Sequence, residues 1–161
     1  MAEGLTGHPT SDRLVPQRKR RWLLMELLRC KVRLSALWIL MFVGTVASMF
    51  LNLLRPGTIQ EVMAGKMEGM ELSEGMLAFI SVFFIIPVIL AILSLTLKGL
   101  ANRWLNFIFG IIWFLWLIFE IVGNMTTGEG LGISGWLMML TGIVIAAYIA
   151  YFAWKLPKEE A

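Results

Sequence analysis

Glu120 is the only acidic or basic side chain within the four long apolar spans of this 161-residue chain. A carboxylate held among apolar residues is costly enough to make proton or cation coupling the first chemistry to consider. Two polar stripes accompany it. Thr45, Ser48 and Asn52 are separated by three and four residues, and Asn106, Gly110, Trp113, Leu117 and Glu120 follow a four-three-four-three spacing, so each set lines one face of a helix. Facing each other, the stripes form a narrow polar cleft of Thr45, Ser48, Asn52, Asn106, Trp113, Trp116 and Glu120, with the two tryptophans flanking the carboxylate. Depth tempers the reading, because Glu120 lies about 24 Å along the helix from Trp104, one turn from its far end, where a carboxylate reaches water. An interfacial or packing role fits that position as well as coupling does. A single cysteine, Cys30, and a single histidine, His8, exclude a disulfide framework, a Cys/His zinc site and a bis-histidine haem. No nucleophile stands beside a base, so neither catalysis nor a metal or cofactor is expected.

The elements that carry these residues follow from composition. Hydrophobic residues make up 58% and charged residues 16% of the chain, and its mean hydropathy is +0.78. Such values exclude a soluble globular enzyme and a disordered chain. Backbone groups in lipid must be paired within a helix, so runs of about 18 or more apolar residues read as spans. The uncharged runs are 34–54, 75–97, 104–119 and 130–154. About 20 residues are needed to cross the hydrocarbon, which carries the third span to about Gly123. The expected fold is an all-α integral membrane four-helix bundle with spans at 34–54, 75–97, 104–123 and 133–154, forming a membrane domain over 34–157.

Charge sets the orientation. Eight basic and three acidic residues precede Leu34, whereas the segment from Arg55 to Glu74 has two basic and four acidic ones. Basic flanks stay in the cytoplasm, so both termini are expected there, in the cell membrane, as an even number of spans also requires. The length of the first apolar run, behind a basic leader, argues against a cleaved signal peptide. Trp38, Trp104, Trp136, Tyr148, Tyr151 and Trp154 fall near span ends or in outer turns, as an interface belt would have them. Pro87 predicts a kink in the second span, and Gly135, Met139, Gly142 and Ala146 form a small-residue stripe for close packing within the bundle or in a homodimer.

Outside the spans, residues 1–17 read as a disordered leader and 158–161 as a short tail. Between them, 18–33 reads as a basic amphipathic juxtamembrane helix lying on the inner leaflet. Arg18, Lys19, Arg20, Arg21, Arg29, Lys31 and Arg33 would contact anionic lipid, each gaining about 1 kcal/mol. Cys30 on that helix reads as an unmodified thiol, with S-palmitoylation as the alternative. In the first loop Ile59, Val62 and Met63 predict a short helix stopped by Gly65, followed by a small hairpin turning at Glu68-Gly69 and by Ser73 as a helix cap. That loop reads as a lid or as a spacer. Gly130, Gly132 and Gly135 make a formal G-x-G-x-x-G that lacks the strand a dinucleotide fold needs, and the Asn124-Met125-Thr126 sequon abuts the bilayer. Neither is taken as functional.

The stretches LSALWIL (34–40), MAGKMEGMELSEGM (63–76), ANRWLN (101–106) and YFAWKLP (151–157) resemble a family of small four-helix prokaryotic membrane proteins defined as a domain of unknown function. The resemblance runs from Leu34 to Pro157 and implies the same four-span layout, without an established activity. It also implies an acidic residue in the outer half of the first span, where this chain has Met49 beside Ser48. The layout is more remotely similar to DoxX-like four-helix proteins. Three functions compete. The first is a non-enzymatic subunit or lipid-like ligand binder, with membrane lipids and a homodimer or larger membrane complex as partners and no nucleic acid. The second is a small dimeric transporter coupled through Glu120. The third is a quinone-linked redox partner using Trp113, Trp116 and Tyr148.

Overall fold

The computed structural model describes residues 14–67, 70–127 and 132–156. The leader through Arg13, the Glu68-Gly69 turn, Glu129 and Gly130, and the tail from Pro157 lie outside them. Five helices and one hairpin follow in order: α1 (Leu14–Leu53), α2 (Thr58–Met63), β1 (Lys66–Met67), β2 (Met70–Glu71), α3 (Glu74–Thr96), α4 (Gly99–Thr127) and α5 (Ile133–Lys155). The chain is thus all-α apart from the hairpin. Four candidate spans, Leu24–Leu53, Glu74–Thr96, Gly99–Thr126 and Ile133–Lys155, are long and apolar enough to cross a membrane. Their outward faces carry exposed Ile39, Val82, Ile85, Ile112, Leu115, Phe119 and Val144. A surface of that composition suits hydrocarbon far better than water.

Local chemistry sets each boundary. Ser73 caps α3 by accepting from the Met76 amide at 3.3 Å. Gly65 ends the α2 segment with φ +73°, a left-handed conformation that favours glycine, and its carbonyl accepts from the Leu72 amide at 2.8 Å across the hairpin. In β1–β2, Lys66 pairs with Glu71 and Met67 with Met70. Only Leu97 and Lys98 separate α3 from α4, which Gly99 begins at φ +57°. α3 remains helical through the buried Pro87.

The segment 18–33 differs from expectation. It is the N-terminal part of one uninterrupted 40-residue helix rather than a separate surface helix. Nothing in Arg18–Arg33 breaks the helical run, for it contains no glycine or proline and the span continues it in phase. At 1.5 Å per residue α1 is about 60 Å long, twice the hydrocarbon thickness.

α1 packs between α3 and α5, α5 packs on α4, and the seam between α3 and α4 is thin. Glycines set the α4–α5 approach. A Cβ on Gly110 would meet Ile149 at 3.1 Å and the Ala150 amide nitrogen at 3.2 Å, and one on Gly142 would meet Leu117 at 3.1 Å. The closed core gathers at one end of the bundle, where Leu34, Trp38 and Met41 meet Leu90, Ala91, Trp113, Ile145, Ala146, Ile149 and Ala153. The other half is built differently.

Candidate functional site

In the half of the bundle nearest α2, the four long helices line a half-open cavity of about 360 Å³. α1 contributes Gly44, Thr45, Ser48 and Asn52, α3 contributes Phe79, Ile80, Phe83 and Phe84, α4 contributes Trp113, Trp116 and Glu120, and α5 contributes Thr141, Gly142 and Ile145. Six of the eleven methionines line it: Met41, Met49, Met67, Met76, Met138 and Met139. Thioether side chains adapt to irregular shapes, and Gly44 leaves space beside α1 that no side chain fills. A Cβ on Gly44 would meet nothing within 4 Å. Met67 reaches the cavity from the hairpin.

The thin α3–α4 seam is bridged by aromatic rings. Phe83 stacks on Trp113 at 4.5 Å between centroids and lies 5.8 Å from Trp116, while Trp38 meets Trp113 edge-on at 6.1 Å. These rings form the floor of the cavity, with Trp113 itself only 5% exposed.

Polarity in the cavity concentrates at one end. Thr45 Oγ1 donates to the Met41 carbonyl of its own helix at 2.9 Å and so offers little to a guest. Ser48 and Asn52 make no side-chain hydrogen bond among the described residues. They border a second space of about 40 Å³ that Arg55, Glu120, Ser134 and Gly135 complete. Arg55 follows the end of α1 and reaches towards α5, its Nη2 lying 4.0 Å from where a Cβ on Gly132 would stand. An acidic and a basic side chain therefore share this rim with two hydroxyls and a carboxamide. The Glu120 side chain itself is exposed.

Six of the seven residues expected to form the cleft, Thr45, Ser48, Asn52, Trp113, Trp116 and Glu120, come together around this cavity. Asn106 does not. Fourteen residues and about 21 Å of helix separate it from Glu120, and the Phe83–Trp113 floor lies between. Fully buried, Asn106 is the centre of a polar knot instead. Its Oδ1 accepts from Trp38 Nε1 and from Ser94 Oγ, both at 2.7 Å, and its Nδ2 donates to the Asn102 carbonyl at 2.8 Å and to Asn102 Oδ1 at 2.7 Å. Asn102 Nδ2 in turn donates to the Ser94 carbonyl at 2.9 Å, satisfying one of the orphan acceptors at the end of α3. Trp38, expected at an interface, is fully buried because its indole N–H has this partner.

Lys31 also departs from expectation. Only 7% exposed, it donates from Nζ to the Leu97 carbonyl at 2.8 Å, a cation set at the C-terminal end of α3 rather than presented outward. Arg21, Arg29 and Arg33 are exposed, and the Arg33 guanidinium lies over the Phe152 ring at 5.6 Å. Arg18, Lys19 and Arg20 fall on α1, outside the described side chains. Nearby, Arg103 covers Trp154 at 4.6 Å and Lys155 covers Tyr151 at 5.7 Å. Tyr148 faces outward, stacked on Phe152, and does not join Trp113 and Trp116 at the cavity.

Sequence reasoning passed over the methionines. Their even scatter along the chain hides that six converge, and only the helix order around the bundle reveals it. Among the described residues no group of three His, Cys, Asp or Glu side chains converges to hold a metal ion. No family model, curated protein or solved structure matches the chain.

Proposed function

We propose that this chain is a multi-pass protein of the cell membrane, both termini cytoplasmic, that holds a lipid-like molecule in its methionine-lined cavity without catalysing a reaction. The carrying observation is the cavity itself: about 360 Å³, apolar on its walls and polar at one rim, which is the composition of a small-molecule pocket. The four-span layout of the small prokaryotic family that the sequence resembles fits the same reading. In this orientation the rim opens to the outer face, and exposed Arg29 and Arg33 lie at the level of anionic head groups. A homodimer or a larger membrane complex is the assembly proposed.

Glu120 supports a second reading, that of a small dimeric transporter, because it borders both spaces together with Ser48 and Asn52. One experiment separates the two. The full chain in lipid nanodiscs, released for native mass spectrometry, is expected to carry a small molecule that Gly44→Leu excludes, since that side chain projects into open space. Retention of the molecule by Glu120→Gln favours a binder, whereas its loss together with pH-dependent flux favours the transporter. A protein that emerges bare under all conditions refutes the cavity reading.

A further inference from the structure

The cavity and its rim constrain the guest more narrowly than "lipid-like", and this step rests on the reading of the cavity as a ligand site. We infer that the guest is a single-chain amphipath with an uncharged head that both donates and accepts hydrogen bonds, seated head-first against Ser48, Asn52 and Ser134. Size is the first constraint. A cavity of about 360 Å³ lies near the low end of small-molecule pockets, roughly 300–1,000 Å³, and matches one chain with a small head better than the two chains of a phospholipid.

Polarity is the second. Below the rim the hydroxyls of Thr45 on α1 and Thr141 on α5 each donate to a carbonyl of their own helix, and the rest of the wall is methionine, phenylalanine, tryptophan, leucine and isoleucine. A polar head placed there would give up its water for few partners, so the head belongs at the rim. Charge is the third. Arg55 and Glu120 border the same 40 Å³ space, so an anionic head gains one and meets the other, and a cationic head does the same in reverse. Ser48, Asn52 and Ser134 present hydroxyl and carboxamide groups, which donate and accept alike. A hydroxyl-bearing ester head, as in a monoacylglycerol, matches all three constraints.

The test uses the full chain in nanodiscs and a monoacylglycerol bearing a mid-chain diazirine, with adducts mapped by peptide mass spectrometry. Adducts are expected inside the bundle on Met49, Met76 or Trp113, competed by unlabelled monoacylglycerol. The free fatty acid of the same chain should compete about tenfold less well, and Asn52→Leu should lower interior labelling by about tenfold, the loss of roughly one hydrogen bond to the head. Labelling of the outward-facing Phe119 serves as the control and should not change. Should Asn52→Leu fail to fold, Ser134→Ala and the competition series carry the same question. Interior adducts that the fatty acid or a diacyl phosphatidylglycerol competes equally well, or that the rim variants leave unchanged, overturn the head assignment alone. No interior adducts from any probe overturn the cavity reading beneath it.

Discussion

Replacing Asn106 with leucine tests the structural account most directly, because one carboxamide joins α1, α3 and α4 in the buried end of the bundle. The substitution is close to isosteric, so its cost is polar. Asn106 Oδ1 accepts from Trp38 and Ser94, and Nδ2 donates twice to Asn102. Ser94 is the least affected, since its hydroxyl also lies 2.6 Å from the Leu90 carbonyl. Trp38 Nε1 has no such alternative and would be left unpaired in a dry core, which costs about 1–3 kcal/mol. Adding the lost acceptor contact of Asn102, Asn106→Leu should destabilise the bundle by about 2–4 kcal/mol. A double-mutant cycle with Trp38→Phe isolates the link between α1 and α4. Interhelical polar pairs in membranes couple by roughly 0.6–1.7 kcal/mol, and this short buried pair should give about 1 kcal/mol. Unfolding in mixed micelles, followed by near-ultraviolet circular dichroism, reads both quantities, as the edge-on Trp38–Trp113 pair supplies the signal. A coupling within about 0.3 kcal/mol of zero would refute the claim that the indole–carboxamide bond holds these helices.

Other substitutions have equally definite outcomes. Gly110→Ala should cost about 1–3 kcal/mol by forcing α5 away, while Gly44→Ala, with open space ahead of it, should be neutral or stabilising by up to about 1 kcal/mol in the same unfolding assay. Lys31→Met should destabilise by about 1 kcal/mol, because the Leu97 carbonyl loses its donor and α3 loses a cation at its C-terminal end. Faster amide exchange at Gly99–Asn102 would locate that effect at the α3–α4 turn. The lone Cys30 reports orientation: a membrane-impermeant maleimide should label it in inverted vesicles only, and a Cys30→Ser, Glu61→Cys chain in right-side-out vesicles only. The opposite pattern would reverse the proposed topology.

How far the sequence carries depends on which kind of periodicity a feature leaves. Span length and hydrophobicity are one-dimensional, so α3 and α5 fall within a residue of the spans expected at 75–97 and 133–154. The α2–hairpin segment is legible too, since Gly65 and Ser73 each have a local stereochemical role. The stripe on α1 gathers at one cavity because three- and four-residue spacing fixes a helical face. The same rule misled at Asn106: it gives the face but not the height at which a partner waits, and Trp38 and Ser94 meet it a full 21 Å or so below Glu120. Lys31 and Trp38 escaped for a related reason. An amphipathic residue near a span end reads as an interface anchor until the partner that buries it is known.

The unbroken course of α1 makes it a lever. Its fully buried Trp38, locked to α4 through Asn106, is the natural pivot, with Arg21 about 26 Å along one arm and Asn52 about 21 Å along the other. The Asn52 arm is about four-fifths the length of the other, so a rigid tilt imposed at the basic end is returned at the cavity with about four-fifths of its amplitude and opposite sign. A swing of about 10° about that pivot carries Asn52 sideways by roughly 3.6 Å, more than the length of a hydrogen bond. Whatever grips the exposed end of this helix therefore has a mechanical hold on the rim at its other end.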